Sequence, residues 1–144
     1  NSFLNLHAGL QPELSLRDNA EIAGVLMGLS RREALRRIPE VLAFYELQAC
    51  ADMRWAELSA GQAARAAFST ALHADLDVLL VDEVLSVGDA AFREKCAGAF
   101  ARLRAEGKTF IVASHDADFL TRTATRVVTL SGGRIADREA ALAA

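Results

Sequence analysis

Two uninterrupted apolar runs, separated by a stretch long enough for a helix, constrain the fold of this chain more than any other feature. The runs are DVLLV, residues 77–81, and TFIVAS, residues 109–114. Such runs are typical of strands in a parallel sheet that is covered on both faces. The residues between them predict a helix from Ala90 to about Ala105, which gives the crossover that a parallel pair requires. We therefore expect an α/β fold with a mostly parallel sheet flanked by helices.

The end of the chain predicts further α/β elements. A short helix is expected from about Asp118, followed by the strand-like runs RVVTL and RIAD. Gly132 and Gly133 stand between these two runs, and a glycine pair in that position predicts a tight hairpin.

The first half of the chain is helical in pattern. Ser15 and Ser30 each precede an acidic residue by three positions, which is the spacing of a capping box at a helix start. Ser59 begins a third, alanine-rich helix, after an irregular connection from Gln48 to Glu57. We expect three helices in this half.

The second of these helices contains a proline. Its apolar stripe is formed by Leu35, Ile38, Leu42 and Tyr45 at helical spacing. A proline costs about 3 kcal/mol in a helix interior, so we expect a kink or a break just before Pro39.

Composition excludes several classes of protein. The 144 residues suffice for one domain or part of one, and the 52% of apolar residues excludes a disordered segment. The formal net charge of −3 argues against a nucleic-acid-binding surface. Cys50 and Cys96 lack the spacing of metal ligands, and no apolar run approaches the ~20 residues that cross a bilayer. The chain begins at Asn1 inside an apolar phrase, from which we expect a truncated N-terminus.

The acidic pair Asp82-Glu83 follows the first apolar run. Ligands of open α/β sheets bind beyond the carboxyl ends of the strands, where one carboxylate can hold Mg²⁺ and another can activate a water. The alternative is an acidic strand end that faces solvent. His115 follows the second run, so it is expected near the same edge, where it can stabilise charge in a transition state.

The stretch LSAGQ, residues 58–62, opens the third helix. Free backbone N–H groups and the helix dipole favour a phosphate there, and Gly61 allows the backbone to come close. The alternative is an ordinary helix cap at Ser59.

The order of these motifs resembles that of the ATP-binding cassette (ABC) ATPases. LSAGQ looks like the signature motif of that family, VLLVDE (78–83) like Walker B, SVGD (86–89) like the D-loop, and ASHD (113–116) like the switch-histidine segment. The resemblance implies a partial P-loop NTPase fold, with a Q-loop region at 1–14, a helical subdomain at 15–75 and the C-terminal half of the α/β core at 76–144.

The resemblance also implies roles for individual residues. Asp82 would serve Mg²⁺, Glu83 would be the catalytic base, and His115 would contact the γ-phosphate of ATP. Asp89 would link two active sites across a dimer. Asn5 falls where the Q-loop residue stands and would be a second metal ligand. The contacts to ATP held by the opposite protomer would come from the signature residues Ser59, Ala60, Gly61 and Gln62.

A closer resemblance is to the ABC subfamily that exports polysaccharides such as O-antigen and teichoic acid. The phrases AGLQPELSLRDN (8–19) and VDEVLSVGDAAFREKC (81–96) look like that group. It implies a membrane-associated ATPase subunit on the cytoplasmic face of the inner or plasma membrane. The implied partners are a second ATPase subunit in a homodimer and transmembrane permease subunits, with no nucleic acid.

No phosphate loop of the form G-x-x-x-x-G-K-[ST] occurs in the 144 residues. EGKT (106–109) is not one, because Arg102 stands where the first glycine is required. In the family this loop precedes the region where the chain begins, so we expect the 144 residues alone to be inactive and the complete protein to hydrolyse ATP. The alternatives are a degenerate cassette that serves as a docking module and an ABC ATPase without a transporter.

Overall fold

The parallel strands predicted from the two apolar runs are present. The computed structural model describes residues 2–3, 9–44, 46–74, 76–82 and 90–141, with only the backbone at 2–3 and 137–141. Strand β1 is Ser2–Phe3, β2 is Val78–Asp82 and β3 is Thr109–Ala113, and they form a parallel sheet in the order β1-β2-β3. Helix α4, Ala90–Ala105, connects β2 to β3. The predicted crossover and its bounds are therefore confirmed.

Phenylalanine rings join the helices to the sheet. The ring of Phe100 in α4 lies 4.7 Å from that of Phe110 in β3, centroid to centroid, and 5.7 Å from that of Phe68. Helix α5, Ala117–Thr123, adds Phe119, whose ring lies 6.0 Å from that of Phe100. Phe68, Phe100 and Phe119 have no exposed surface, so these rings are the centre of the core.

The first half forms the three expected helices: α1 is Leu16–Leu26, α2 is Arg31–Phe44 and α3 is Ala60–His73. Ser15 caps α1, since its hydroxyl oxygen accepts the N–H of Asp18. The hydroxyl of Ser30 accepts the N–H of Glu33, whose carboxylate accepts the N–H of Ser30 in return. Both predicted helix starts are confirmed.

Of the kink or break expected just before Pro39, the break is wrong, because α2 continues through this residue to Phe44. Ile38 and Val41, on either side of the proline, are 3% and 5% exposed. Their burial in the core holds the helix together across the missing N–H. Leu35, which was placed in the apolar stripe, is 44% exposed, and Tyr45 lies outside the described residues.

The predicted hairpin is confirmed. Strands β4, Arg126–Ser131, and β5, Arg134–Ala141, pair antiparallel. Gly132 and Gly133 form the turn with φ of 56° and 73°, which is the left-handed backbone that favours glycine.

Candidate functional site

The N-terminus of α3 is a reciprocally hydrogen-bonded cap. The hydroxyl oxygen of Ser59 accepts the N–H of Gln62 at 3.2 Å, and the side-chain oxygen of Gln62 accepts the N–H of Ser59 at 2.9 Å. The S-x-x-Q spacing produces this arrangement because the two residues face each other across the first helical turn. The LSAGQ stretch therefore begins the helix where the sequence predicted.

A second contact fixes the side chain of Gln62. Its Nε2 donates to the sulfur of Cys50 at 3.4 Å, so the amide is held on both sides. Cys50 lies at the end of a short 3-10 turn, Gln48–Cys50, which precedes α3 in the chain. The position of the signature-like glutamine thus depends on the connection between α2 and α3.

An open cleft of about 410 Å³ lies in front of this helix start. Among the residues that the structure describes, none lies within 4 Å of a Cβ atom added at Gly61, so packing against those residues does not require glycine there. The free space fits the close approach of an external group to the backbone. The lining residues are Glu46, Leu47, Ser59, Gly61, Gln62 and Arg65.

Cationic groups lie beside the cleft and join it to α4. The guanidinium carbon of Arg65 lies 5.2 Å from the centroid of the Phe92 ring, near the start of α4. Nζ of Lys95, also in α4, lies 2.9 Å from a carboxylate oxygen of Glu46. The helix dipole and Arg65 both favour an anion in this cleft.

Asp82 and His115 lie at the same edge of the parallel sheet. Asp82 ends β2 with its side chain exposed and is paired in register with Ala113, which ends β3. His115 follows two residues later and is also exposed. Parallel pairing therefore brings the predicted carboxylate and histidine to one edge.

Two polar residues hold the loop that carries His115. The hydroxyl oxygen of Ser114 accepts the N–H of Asp116 at 3.1 Å. Asp116 caps α5, and one of its carboxylate oxygens accepts the N–H of Phe119 at 2.9 Å. These bonds position the segment between β3 and α5 and so the backbone of His115.

Three of the predicted site residues, Asn5, Glu83 and Asp89, lie outside the described residues. The predicted site residues that the structure does describe fall into two groups. Ser59, Gly61 and Gln62 line the cleft, and Ala60 belongs to the same helical turn, whereas Asp82 and His115 are not part of its lining. The signature-like residues and the sheet-edge pair are thus separate surfaces.

Two classes of site have no support within the described ranges. No three His, Cys, Asp or Glu side chains there are grouped so that they could hold a metal ion. No helix in the same ranges combines the length and apolar composition that crossing a membrane requires.

Sequence reasoning did not find the lining residues Glu46 and Leu47 or the contact of Cys50 with Gln62. These residues lie in the connection between α2 and α3, which has no periodic pattern. The irregular composition of residues 48–57 was a signal for Cys50, since loops of this kind often carry functional contacts, but Glu46 and Leu47 lie before that stretch.

Curated relatives in sequence are export ATP-binding proteins. The chain is 34% identical over 134 residues to the O-antigen export system ATP-binding protein RfbB of Myxococcus xanthus, covering 93% of this chain and 31% of the relative. It is 32% identical over 134 residues to the teichoic acids export ATP-binding protein TagH of Lactococcus lactis, covering 93% and 29%. The chain therefore spans about a third of the length of these relatives. No protein-family model matches the chain.

The fold is shared with solved ATP-binding cassettes. A dimeric post-hydrolysis state of the cassette MJ0796 bound to ADP and Pi superposes with a TM-score of 0.79 at 27% identity, covering 95% of this chain and 60% of that one. The predicted fold class is confirmed: the chain has part of the ABC ATPase fold. The resemblance to ABC ATP-binding proteins of O-antigen and teichoic acid export is confirmed as well.

Proposed function

We propose that this chain is part of the ATP-binding and ATP-hydrolysing subunit of an ABC transporter that exports polysaccharide or glycolipid. The observation that carries the proposal is the capped start of α3 beside an open cleft, in a chain related to export ATP-binding proteins. We divide the chain into a Q-loop region at 1–14, a helical subdomain at 15–75 and the C-terminal half of the α/β core at 76–144.

The start of α3 binds a phosphate of ATP in this proposal. Backbone N–H groups of the first turn and the positive end of the helix dipole attract the anion. Gly61 leaves room for the phosphate to approach the backbone, and the Ser59 hydroxyl offers a further polar contact. Gln62, held by Ser59 and Cys50, fixes the shape of the turn, and Ala60 is part of the same surface.

The sheet edge carries the hydrolytic groups. Asp82, a single exposed carboxylate, fits Mg²⁺, which usually keeps several waters and takes one or two protein carboxylates. Glu83, next in the chain, accepts the proton of the attacking water, and His115 donates a hydrogen bond to the phosphate. Asp89 couples the two sites of a dimer, and Asn5 is the second metal ligand. The roles of Glu83, Asp89 and Asn5 rest on the resemblance in sequence.

The separation of the two surfaces supports a dimer. The cleft at α3 and the edge at Asp82 and His115 are not one cavity, so a nucleotide that contacts both kinds of residue lies between two copies of the subunit. A solved cassette that shares the fold is dimeric. The further partners are membrane permease subunits, which place the protein at the cytoplasmic face of the inner or plasma membrane.

Ser59→Arg tests this arrangement in a protein that contains these residues together with a phosphate loop. The added cation and its bulk fill the phosphate position at the partner's nucleotide. Turnover should be abolished, while each protomer still binds ATP through its own phosphate loop. ATP hydrolysis and calorimetric ATP binding to the monomer are the two measurements.

Ser30→Arg is the matched control, because Ser30 caps α2 in the same way but does not line the cleft. It should leave turnover near that of the wild type. Loss of ATP binding by the Ser59→Arg monomer, or normal turnover in that variant, would contradict the proposal.

A further inference from the structure

Asn19 is a polar side chain with no exposed surface, in the first half of α1. Its Oδ1 accepts the N–H of Gln11 at 2.7 Å. Its Nδ2 donates to the carbonyl oxygens of Gln11, Leu14 and Ser15 at 2.9, 3.2 and 3.0 Å. A flipped amide would turn its oxygen toward three carbonyl oxygens, so the contacts fix its orientation. The side chain thus holds the backbone turn that leads into α1.

This turn is hydrogen-bonded to the segment that leads to α3. Residues 12–17 and 51–56 form a backbone ladder, with an isolated antiparallel bridge between Ser15 and Arg54. We call these hydrogen bonds the 12–17/51–56 ladder. They run from the N–H of Leu16 to Met53, of Arg17 to Ala51, of Trp55 to Leu14, and of Ala56 to Pro12, over 2.8, 2.9, 2.9 and 3.0 Å.

One carbonyl oxygen belongs to both systems. The oxygen of Leu14 accepts Nδ2 of Asn19 at 3.2 Å and the N–H of Trp55 at 2.9 Å. Asn19 therefore orients an acceptor on which the 12–17/51–56 ladder depends. Since the Asn19 side chain is fully buried, loss of its amide removes the donor to three carbonyl oxygens and the acceptor for the N–H of Gln11.

The ladder ends three residues before the signature-like serine. Residues Trp55–Glu57 form a 3-10 turn, and the N–H of Leu58 donates to the oxygen of Trp55 at 3.1 Å. Ser59 follows and caps α3. Trp55 and Leu58 both pack against the hydrophobic core, which restricts the backbone of this stretch. A shift of the ladder is thereby passed to the position of Ser59.

Ion pairs along the same path contribute less than the buried amide. Arg17 pairs with Asp52 at 3.3 Å, and Arg54 pairs with Glu57 at 2.8 Å, but all four side chains are well exposed. Exposed pairs of this kind contribute little to stability, because water screens them and holding two long side chains together costs entropy. Arg54 does hydrogen-bond to Glu57 and lowers the pKa of that carboxyl, which is an effect local to the turn.

We propose that Asn19 is a positioning residue that fixes the N-terminus of α3 through the 12–17/51–56 ladder. It joins residues 11–15 to the segment that presents Ser59. Its effect on ATP turnover rests on the function proposed above, whereas its effect on the backbone does not. Movement imposed on residues 11–15 is transmitted to the phosphate-binding turn by this connection.

Backbone hydrogen exchange in the nucleotide-free chain tests the connection. Asn19→Ala should speed exchange at the amides of Trp55 and Ala56 by about tenfold or more relative to global unfolding, because a buried hydrogen-bonding partner is lost. Exchange at Gln62, the amide bonded to Ser59, should rise with it. The fluorescence of Trp55, the only tryptophan of the chain, gives a second readout of the same segment.

Two further variants separate positioning from packing. Asn19→Asp fills the same space and keeps the acceptor for Gln11, but it places a carboxylate against three carbonyl oxygens, so the ladder amides should again exchange faster. Ser69→Ala is the matched control: Ser69 is fully buried and donates to the oxygen of Val41 at 2.7 Å, but it does not contact the ladder. That variant should leave Trp55, Ala56 and Gln62 unchanged relative to global unfolding.

Wild-type exchange at Trp55, Ala56 and Gln62 in Asn19→Asp, or equal changes in Ser69→Ala, would overturn the proposal. If Asn19→Ala does not fold, hydrogen exchange in Asn19→Asp and in the wild type still tests the proposal. In the wild type, the amides of Leu16, Arg17, Trp55 and Ala56 should open with one shared free energy, and four unrelated values would overturn it too.

In a protein that also has a phosphate loop, Asn19→Ala should lower kcat and leave the Kd for ATP of the monomer unchanged. Changed exchange with unchanged kcat would refute the effect on turnover and leave the ATPase assignment intact. If Ser59→Arg does not give the predicted result but Asn19→Ala still changes hydrogen exchange, the ATPase assignment is refuted, while the role of Asn19 in the 12–17/51–56 ladder stands.

Discussion

His73, the last residue of α3, is a partly buried histidine whose burial changes its pKa. Burial lowers the pKa of its imidazole below the ordinary 6.5, and Arg102 and Arg37 lower it further. The carbonyl oxygen of Ser69, 2.7 Å from Nδ1, and the carboxylate of Glu40 oppose this shift. The ring also lies edge-on to Phe44, with the centroids 5.5 Å apart. The folded chain therefore favours neutral His73.

The free energy of unfolding should fall as the pH is lowered through the ordinary pKa of His73. The pKa is lower in the folded than in the unfolded chain, so the unfolded chain binds more protons as acid is added. The contribution of His73 is complete above its ordinary pKa and is lost as the pH falls through that value toward the lower pKa of the folded chain. His73→Gln should flatten the dependence in urea titrations, and His115→Gln, at an exposed position, is the control. An unchanged dependence in His73→Gln would refute this account.

Short-range signals at single residues were the most predictable part of the chain. Ser15, Ser30 and Ser59 all cap helices as their spacing indicated, because a cap depends on atoms three residues away. Leu35 was misjudged for the opposite reason. Its exposure depends on which neighbouring element covers that side of α2, and periodicity contains no such information.

Helix α2 is an element in which packing overrides local preference. Pro39 is exposed, while Ile38 and Val41 beside it are buried in the core. The missing N–H at residue 39 leaves the carbonyl oxygen of Leu35 without its helical donor. The helix continues despite the cost of this missing hydrogen bond, whereas the sequence alone predicted that it would be interrupted there.

Pro39→Ala should therefore stabilise the chain by about 1–3 kcal/mol, since an alanine restores the donor and its helix preference exceeds the entropy that proline removes from the unfolded state. Chemical denaturation followed by helical circular dichroism measures the change. Arg36→Ala, an exposed substitution in the same helix, should change stability by no more than about 0.5 kcal/mol. An unchanged free energy of unfolding in Pro39→Ala would contradict this account of α2.

The backbone ladder between 12–17 and 51–56 could not be predicted from the sequence. Its hydrogen bonds join main-chain atoms of two irregular segments, and no alternation of side chains accompanies them. Asn19 stood inside an amphipathic helical pattern, where a polar residue is ordinarily expected to face water. Only the fold reveals that α1 turns this residue toward the entering loop.

At the scale of the molecule, the proposed function uses two surfaces of the described residues, the cleft before α3 and the sheet edge at Asp82 and His115. The order of the motifs predicted the fold, because α3, β2 and β3 follow each other in the chain as LSAGQ, VLLVDE and ASHD do. Parallel pairing then accounts for Asp82 and His115 at one edge. The cleft before α3 was less predictable, since Glu46 and Leu47 line it from an irregular connection.

The most direct measurement of the central claim is the rate of MgATP hydrolysis by the Glu83→Gln variant, in a protein that combines these residues with a phosphate loop. A glutamine keeps the size of the side chain but cannot accept the proton of the attacking water. Turnover should fall by roughly 10²–10⁴, the usual worth of a general base, while the affinity for MgATP stays unchanged.

Glu106→Gln, at an exposed position after α4, is the control for loss of one carboxylate. The 144 residues by themselves should show no saturable ATP binding in calorimetry. A fall in turnover confined to Glu83→Gln is the predicted result, and near-normal turnover in that variant would contradict the account.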